Sequence, residues 1–353
     1  MRPDKLTTRA DVAVRGVRMD APVRRGGGAG PSDDGHVLLD GANAALPLDP
    51  GSPYTVRAGR LLFEGTDAGL GVELVRRPRF YDLTTADGVA YEKIARLHGA
   101  DVLATTVVQT CIRYAEDQRC RFCAIEESLR AGSTTAVKTP AQLAEVAEAA
   151  VRLDGVRQMV MTTGTTAGRD RGARHLARCV RAVAAAVPGL PIQVQCEPPA
   201  DLAVITELRD AGATAIGIHV ESLDDQVRRA WMPGKATVPL SAYEQAWDEA
   251  VRVFGHNRVS TYLLVGLGED PDELIAGAAR LIERGVYPFV VPFRPLAGTL
   301  AVRDGVGPPP AEMLRRVTGA VAALLRAAGM TGAAQGAGCA ACGACSALAA
   351  AGG

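Results

Sequence analysis

The stretch that decides the fold is residues 101–123, DVLATTVVQTCIRYAEDQRCRFC, in which an apolar run leads directly into three cysteines. A short apolar run rich in β-branched residues is typical of a strand in a parallel sheet. The thiols of Cys111, Cys120 and Cys123 suit either zinc or an iron–sulfur cluster. The sequence therefore predicts a strand that ends in a three-thiol metal site.

Strand-like and helix-like segments alternate after residue 100. Strands are predicted at residues 101–110, 158–164, 191–197, 215–222, 259–266 and 287–295, and helices at 140–152, 171–187, 201–211, 241–253 and 271–284. Six such units favour a parallel sheet whose active site lies at the carboxyl ends of the strands. We therefore expect an α/β protein with a partial (β/α)6, TIM-like barrel.

Two smaller parts flank the predicted barrel, which is expected to cover residues 86–300 and to begin with a helix from Asp87 to His98. Residues 1–85 predict a β-rich accessory region with a glycine-rich surface loop at 24–36. Residues 301–353 predict a proline-rich joint, a helix at 311–328 and a helical tail that carries three cysteines. The chain is thus expected to have three regions.

Alternation along the predicted strands indicates a polar barrel interior. Gln193, Gln195 and Glu197 share one face of the third strand, and His219 and Glu221 share one face of the fourth. The opposite faces must pack under helices, so the polar faces should point inward. Such an interior is typical of a ligand chamber. Cys196 falls on an outward face and is expected to serve packing.

Composition excludes several classes of function. The 39 acidic and 39 basic residues balance, so neither nucleic acid nor an anionic membrane is an expected partner. No apolar stretch approaches the roughly 18 residues of a membrane span. The first ten residues are polar and charged, which predicts a cytoplasmic protein without a secretion signal. Eight cysteines in that compartment are expected to be metal ligands rather than disulfides.

The cysteine loop, with Phe122 directly before its last cysteine, resembles that of the radical S-adenosylmethionine (SAM) superfamily. Eight residues separate Cys111 from Cys120, where most of that family has three. The overall pattern of residues 101–300 is similar to the biotin synthase and hydrogenase-maturase branch. The resemblance implies a [4Fe-4S] cluster on the three cysteines, with SAM bound at the open iron. It also implies reductive cleavage of SAM to a 5′-deoxyadenosyl radical, with flavodoxin or ferredoxin as electron donor.

The same resemblance implies a set of SAM-contacting residues near the ends of the barrel strands. Thr163 and Gly164 stand where the family usually has Gly-Gly-Glu. The full implied set is Phe122, Thr163, Gly164, Glu197, His219, Glu221, Ser222, Gly266 and Arg294. The whole chain also looks similar to an uncharacterised radical SAM family encoded in nitrilase-containing bacterial gene clusters. That likeness implies a small, nitrogen-containing substrate.

A second cysteine triplet lies near the C-terminus. Cys339, Cys342 and Cys345 have the spacing of the first three ligands of a bacterial ferredoxin run, but the fourth cysteine is missing. This predicts a second iron–sulfur cluster with one ligand that is not cysteine. Zinc completed by His175, Cys179 or another chain remains open, as does a disordered tail with unused thiols.

Two other functions remain open beside a SAM-cleaving enzyme. The triplet would suit a sulfur-inserting enzyme that uses a C-terminal cluster as its sulfur source. A protein of a different class, a zinc or iron–sulfur scaffold or sensor without catalysis, would also explain the cysteines. Iron without zinc would separate the enzymes from a zinc scaffold.

Overall fold

A computed structural model describes residues 5–19 and 36–352. The predicted glycine-rich loop lies outside the described residues, apart from His36. None of the helices within these ranges is long and apolar enough to cross a bilayer.

The N-terminal region forms a six-stranded sheet behind one helix, α1 (Lys5–Arg15). The sheet has the order β1-β4-β5-β6-β2-β3 and is antiparallel except between β1 and β4. Its strands are β1 (Arg18–Met19), β2 (His36–Leu39), β3 (Ala42–Ala45), β4 (Tyr54–Arg57), β5 (Arg60–Phe63) and β6 (Thr66–Leu74). This confirms the β-rich character. The prediction missed α1, whose Ala10, Val12 and Ala13 are buried within a segment that looks polar by composition.

The barrel is a curled sheet of seven strands in the order β13-β12-β11-β10-β9-β8-β7. Its strands are β7 (Arg96–His98), β8 (Val102–Thr106), β9 (Gln158–Thr162), β10 (Ile192–Gln195), β11 (Ala215–Gly217), β12 (Val259–Val265) and β13 (Val286–Pro292). The last six are parallel and neighbour one another in chain order. The predicted partial (β/α)6 barrel is confirmed, and β7 and β13 form its two edges.

Helices connect these strands and cover the outside of the sheet. They are α2 (Tyr91–Ile94), α3 (Glu127–Arg130), α4 (Pro140–Asp154), α5 (Ala173–Ala186), α6 (Ala203–Asp210), α7 (Asp225–Trp231), α8 (Pro233–Ala236), α9 (Leu240–Phe254) and α10 (Pro271–Glu283). Local chemistry explains the ends of α4: Thr139 and Gln142 form a capping box at its start, and Gly155 in a left-handed conformation ends it. Apolar side chains of these helices and of the strands' outward faces form one large core.

The helix predicted from Asp87 to His98 is wrong. Only Tyr91–Ile94 is helical, and Arg96–His98 instead form β7, which pairs antiparallel with β8. The Leu97 amide donates a hydrogen bond to the Tyr81 hydroxyl, 3.0 Å away. Pairing with a neighbouring strand satisfies backbone groups that a short helix would leave unpaired, so tertiary contact overrode the local pattern.

The C-terminal part folds back onto the amino ends of the barrel strands. Its helices are α11 (Leu300–Arg303), α12 (Ala311–Ala327) and α13 (Cys339–Cys342), and α12 packs against α1 and α10. The Gly338 amide donates to Gln158 Oε1 at the start of β9 (2.8 Å), and the Ala45 amide donates to the Ala344 carbonyl (2.8 Å). The tail therefore covers the amino ends of the barrel strands in an ordered conformation. The disordered-tail alternative is wrong.

Candidate functional site

The first cysteine loop leaves the barrel just after β8 and is held by the end of β9. The Gly164 amide donates to the Val108 carbonyl (2.8 Å), and a Cβ at Gly164 would collide with the Thr110 carbonyl oxygen. The Ile112 amide donates to the Thr165 carbonyl (2.9 Å). This close backbone approach requires glycine at position 164 and fixes where the loop begins.

The three thiols of this loop are free, so each is available as a ligand. None forms a disulfide. Burial raises the pKa of Cys123 to about 11 and that of Cys120 well above its usual value. Desolvated thiols ionise readily only beside a cation such as a metal, which a cluster supplies. Among the described residues no His, Cys, Asp and Glu group of three could hold a single metal ion. A cluster differs because it spreads its thiolates over separate irons.

Glu197 lies at the end of the third parallel strand, as predicted, and joins that strand to the cysteine loop. Its carboxylate contacts Arg113 Nη2 at 3.1 Å and Arg171 Nη1 at 3.3 Å, and it accepts a hydrogen bond from Thr165 Oγ1 at 2.9 Å. Arg113 belongs to the cysteine loop itself. The charge of Glu197 is therefore balanced by protein groups, and its contact with SAM stays a prediction.

Glu221 forms a buried ion pair with Lys235 beside the same loop. Lys235 Nζ lies 2.5 Å from Glu221 Oε2, and each side chain is 11% exposed. Although burial disfavours its charge, the Glu221 carboxylate holds the pKa of Lys235 above the usual value. The Gly234 amide donates to the Gln118 carbonyl (2.9 Å), which ties α8 to the cysteine loop. A charged pair is thus fixed next to the thiols.

His219 faces the barrel interior, as the alternation predicted. Its ring stacks on Tyr262 with centroids 4.0 Å apart, and its Nδ1 accepts a hydrogen bond from the Tyr262 amide at 3.2 Å. Burial lowers the pKa of His219 to about 3, so the ring is neutral with its proton on Nε2. That buried Nε2 has no hydrogen-bond partner among the residues described. It is a buried donor without a partner among those residues.

The remaining predicted SAM contacts have local structural partners. Thr163 Oγ1 donates to the Gly164 carbonyl (3.0 Å), and Ser222 Oγ accepts from the Asp224 amide (3.2 Å). Gly266 has a φ of 105°, and its amide donates to Glu269 Oε1 (2.9 Å). The amide of Gly164 donates to the Val108 carbonyl within the protein. The cofactor roles of all four residues stay predictions.

A cavity of about 460 Å³ joins the two cysteine regions inside the barrel. Phe122 and Glu221 line one end, and Cys339, Cys342 and Cys345 line the other. Further lining groups are polar, as predicted: Gln109, Thr162, Gln195, Tyr262 and Arg294. A cavity of this size with a few fixed polar groups is typical of a small-molecule site. We refer to it as the chamber.

The C-terminal thiols are ordered by groups from the barrel wall. The Tyr262 hydroxyl donates to Cys339 Sγ at 2.8 Å, and Gln195 Nε2 donates to the same sulfur at 3.3 Å. His98 Nε2 lies 3.8 Å from Cys345 Sγ. Burial, followed by the charge of Arg294, lowers the pKa of His98 to about 4, so its ring is neutral. His98 is therefore a candidate nitrogen ligand beside this triplet.

The structure does not bring His175 and Cys179 to the triplet. His175 Nε2 lies 2.9 Å from the Lys138 carbonyl and 3.6 Å from Cys179 Sγ, on the helical layer outside the sheet. A zinc site completed by either residue is therefore wrong. Cys196 is buried in the main apolar core, which confirms its packing role.

Several site residues were not found from the sequence. They are Arg113, Arg171, Lys138, Lys235, His98 and Tyr262. One signal was available: the chain contains only four lysines among 39 basic residues, so lysine is kept where arginine would be the ordinary choice. Lys138 and Lys235 are both buried in the barrel.

Comparison with known proteins gives the family. The Radical SAM superfamily profile matches residues 117–282. The chain is 29% identical over 137 residues to bacteriochlorophyllide c C-7(1)-hydroxylase of Chlorobaculum limnaeum, covering 38% of the chain and 33% of that protein. It is 25% identical over 314 residues to a mitochondrial lipoyl synthase of Paracoccidioides brasiliensis (strain Pb03), covering 79% and 68%.

A solved structure of methylornithine synthase superposes on 65% of the chain and 62% of its own, with a TM-score of 0.49 and 17% identity. The chain spans a third of the length of the hydroxylase and about two thirds of that of the lipoyl synthase. The matched region of the family profile contains Cys120, Cys123 and four of the barrel strands. Residues 117–282, just under half of the chain, thus form a Radical SAM superfamily domain.

Proposed function

We propose that this protein cleaves SAM reductively and directs the resulting radical at a small, nitrogen-containing metabolite held in the chamber. The observation that carries the proposal is the cavity that begins at Phe122, beside the thiols of Cys120 and Cys123, and runs into the barrel. Cys111, Cys120 and Cys123 would hold the [4Fe-4S] cluster. When bound, the cluster supplies the electron that breaks the C5′–S bond of SAM, with flavodoxin or ferredoxin as its source.

The protein itself positions SAM and the substrate, and it excludes water from them. Phe122, Trp231 and Phe293 form an aromatic wall beside the loop, with ring centroids 6.5 Å apart for the first pair and 5.2 Å for the second. Such a wall keeps water and stray groups from a reactive carbon radical. Glu221, held in place by Lys235, offers a fixed carboxylate for the SAM ribose or amino group. The buried Nε2–H of His219 is a further donor without a partner among the described residues.

A second iron–sulfur cluster at Cys339, Cys342 and Cys345 is part of the proposal. Its support is the placement of the three thiols on one wall of the chamber, with Tyr262 and Gln195 donating to Cys339. His98 is the candidate for the ligand that the missing fourth cysteine would provide, since its neutral imidazole is next to Cys345. Imidazole nitrogen is an established ligand for iron.

Sulfur insertion is the second candidate function. The specific observation in its favour is that the C-terminal triplet lines the same cavity as Phe122, so a substrate there would lie between both cysteine sets. The similarity to lipoyl synthase also favours sulfur insertion. Product analysis distinguishes the two: sulfur-bearing product with loss of cluster sulfide supports insertion, and unchanged sulfide supports the first proposal.

Metal analysis of anaerobically reconstituted protein tests the proposal as a whole. We expect about eight iron and eight sulfide per chain if two cubanes of equal size are present. We also expect SAM to alter the electron paramagnetic resonance spectrum of the reduced protein, since it would bind at an open iron. Zinc without iron, together with no response to SAM, would instead identify a scaffold or sensor.

A further inference from the structure

Lys138 is a fixed part of the chamber wall. Its amide donates to the Val107 carbonyl (2.9 Å), just before the cap of α4. Its Nζ donates to Gln109 Oε1 at 3.0 Å and to Thr134 Oγ1 at 2.6 Å. The residue is only 1% exposed, yet it lines the cavity. Two oriented acceptors and tight packing leave the ammonium little freedom to move.

The charge of Lys138 has no counter-charge in the part of the chain that the structure describes. Both partners of its Nζ are neutral, and it forms no ion pair with any described residue. Burial, assisted by the positive charge of Arg96, lowers the pKa of Lys138 to about 7. The other buried lysine, Lys235, differs because Glu221 balances it. A buried charge without a partner is strongly unfavourable, so a protein that retains one usually has a use for it.

The acidic residues that line the chamber do not pair with Lys138. Glu221 is bound to Lys235, and Glu92 is only half-buried, at the rim. Arg294 also lines the cavity and acts electrostatically on His98 and Cys345. Lys138 is therefore a buried cation on the chamber wall, and the ligand that completes its pocket should bring negative charge.

We propose that Lys138 and its pocket bind an anionic group of the substrate, a carboxylate or a phosphate. This inference rests on the proposed function, because it gives a chemical class to the metabolite in the chamber. Gln109, the partner of Lys138, also donates to the Ile125 carbonyl (2.9 Å) directly after the cysteine loop. An anion at Lys138 is thus anchored beside that loop, and the rest of the substrate extends toward Phe122.

Thermal unfolding of the reconstituted protein with small anions tests the inference without any SAM cleavage. The probes are malonate and inorganic phosphate, each compared with uncharged malonamide at equal ionic strength. A ligand that binds the folded state raises the unfolding temperature, and its concentration dependence gives the affinity. We expect malonate, phosphate or both to stabilise the protein and malonamide to have no effect. The stronger anion then identifies the group.

The Lys138→Met variant should bind that anion roughly 10- to 150-fold more weakly, the usual loss for one charge-assisted hydrogen bond. Without ligand it should be at least as stable as the parent, whereas a purely structural lysine would predict lower stability. Lys93→Met is the matched control, because Lys93 is an exposed lysine at the rim of the same cavity. It should keep the full anion response.

Three results would overturn the inference. They are no response of the parent to either anion, an equal response in Lys138→Met, and a response that saturating SAM removes, which would assign the pocket to the cofactor carboxylate. If Lys138→Met does not fold, Lys138→Gln is used in its place, because it keeps a donor for Gln109. An unchanged anion response in Lys138→Gln would equally overturn the inference. Failure of SAM cleavage, measured separately, would count against the proposed function alone.

Discussion

At the scale of single residues, the Glu221–Lys235 pair gives a stability prediction. Changing Lys235 to Met leaves a buried carboxylate uncompensated, which should lower the free energy of unfolding by about 3–5 kcal/mol. Changing Glu221 to Gln as well removes the unpaired carboxylate charge. The double variant should therefore recover most of the lost free energy of unfolding. Urea unfolding of the three proteins measures both effects. A double variant no more stable than Lys235→Met would contradict the pairing.

Lys138 gives a pH prediction whose sign follows from proton binding. The unfolded lysine keeps its proton up to its ordinary pKa of 10.5, but the native amine loses it above about 7. Between these values the unfolded state binds more protons, so raising the pH favours the native state. Relative to Lys138→Met, the parent should gain roughly 1.4 kcal/mol of stability for each pH unit between about 7 and 10. Urea unfolding at pH 7, 8 and 9 measures this difference, and a pH-independent difference would refute the buried, unpaired ammonium.

Sequence reasoning at this scale identified which way side chains face but not what they meet. The inward position of Gln195 follows from alternation along β10, whereas Glu197 and His219 each lie two residues beyond the end of their strand. Their partners do not follow from alternation, because Arg113, Lys235 and Cys339 lie far away in sequence and arrive through loops and the tail. Alternation is a local property, whereas pairing depends on how the whole barrel closes.

At the scale of elements, the contact between the end of β9 and the cysteine loop is open to a direct test. Gly164→Ala would push a methyl group into the Thr110 carbonyl, so either the strand or the loop must move. We expect a loss of about 1–3 kcal/mol in stability and a lower iron content after reconstitution. Gly307→Ala is the matched control, because nothing lies within 4 Å of its would-be Cβ. Equal iron content in both variants would show that this contact does not organise the loop.

The C-terminal tail gives a second prediction at this scale. Replacing Cys339, Cys342 and Cys345 together by Ala should remove roughly half of the iron, given two cubanes of equal size. His98→Ala should keep iron but lose nitrogen coupling in pulsed electron paramagnetic resonance, if His98 ligates this cluster. The matched change is His175→Ala, since His175 lies outside the chamber. Iron content and spectra like those of the parent in the triple variant would rule out a second cluster.

At the scale of the whole molecule, the order of strands and helices was easier to predict from the sequence than the individual elements. Six strand-helix units read from residues 101–295 appear in the structure in the predicted order, because each helix must bury its apolar face on the parallel sheet. The missed elements, α1 and β7, are those that long-range contacts decide: α1 packs against α12, and β7 exists only through β8. The tail was predicted as a cysteine-bearing helix, but its position beneath the barrel came from contacts with β9 and β10.

The central claim, that Cys111, Cys120 and Cys123 hold the cluster that cleaves SAM, is tested most directly by one assay. Reconstituted protein is reduced anaerobically with dithionite in the presence of SAM, and 5′-deoxyadenosine is quantified for the parent and for Cys111→Ala, Cys120→Ala and Cys123→Ala. Three thiolates leave one iron open for SAM, so each is indispensable. The account predicts 5′-deoxyadenosine from the parent and none from the three variants. Full product formation in any one of them, or none from an iron-loaded parent, would contradict it.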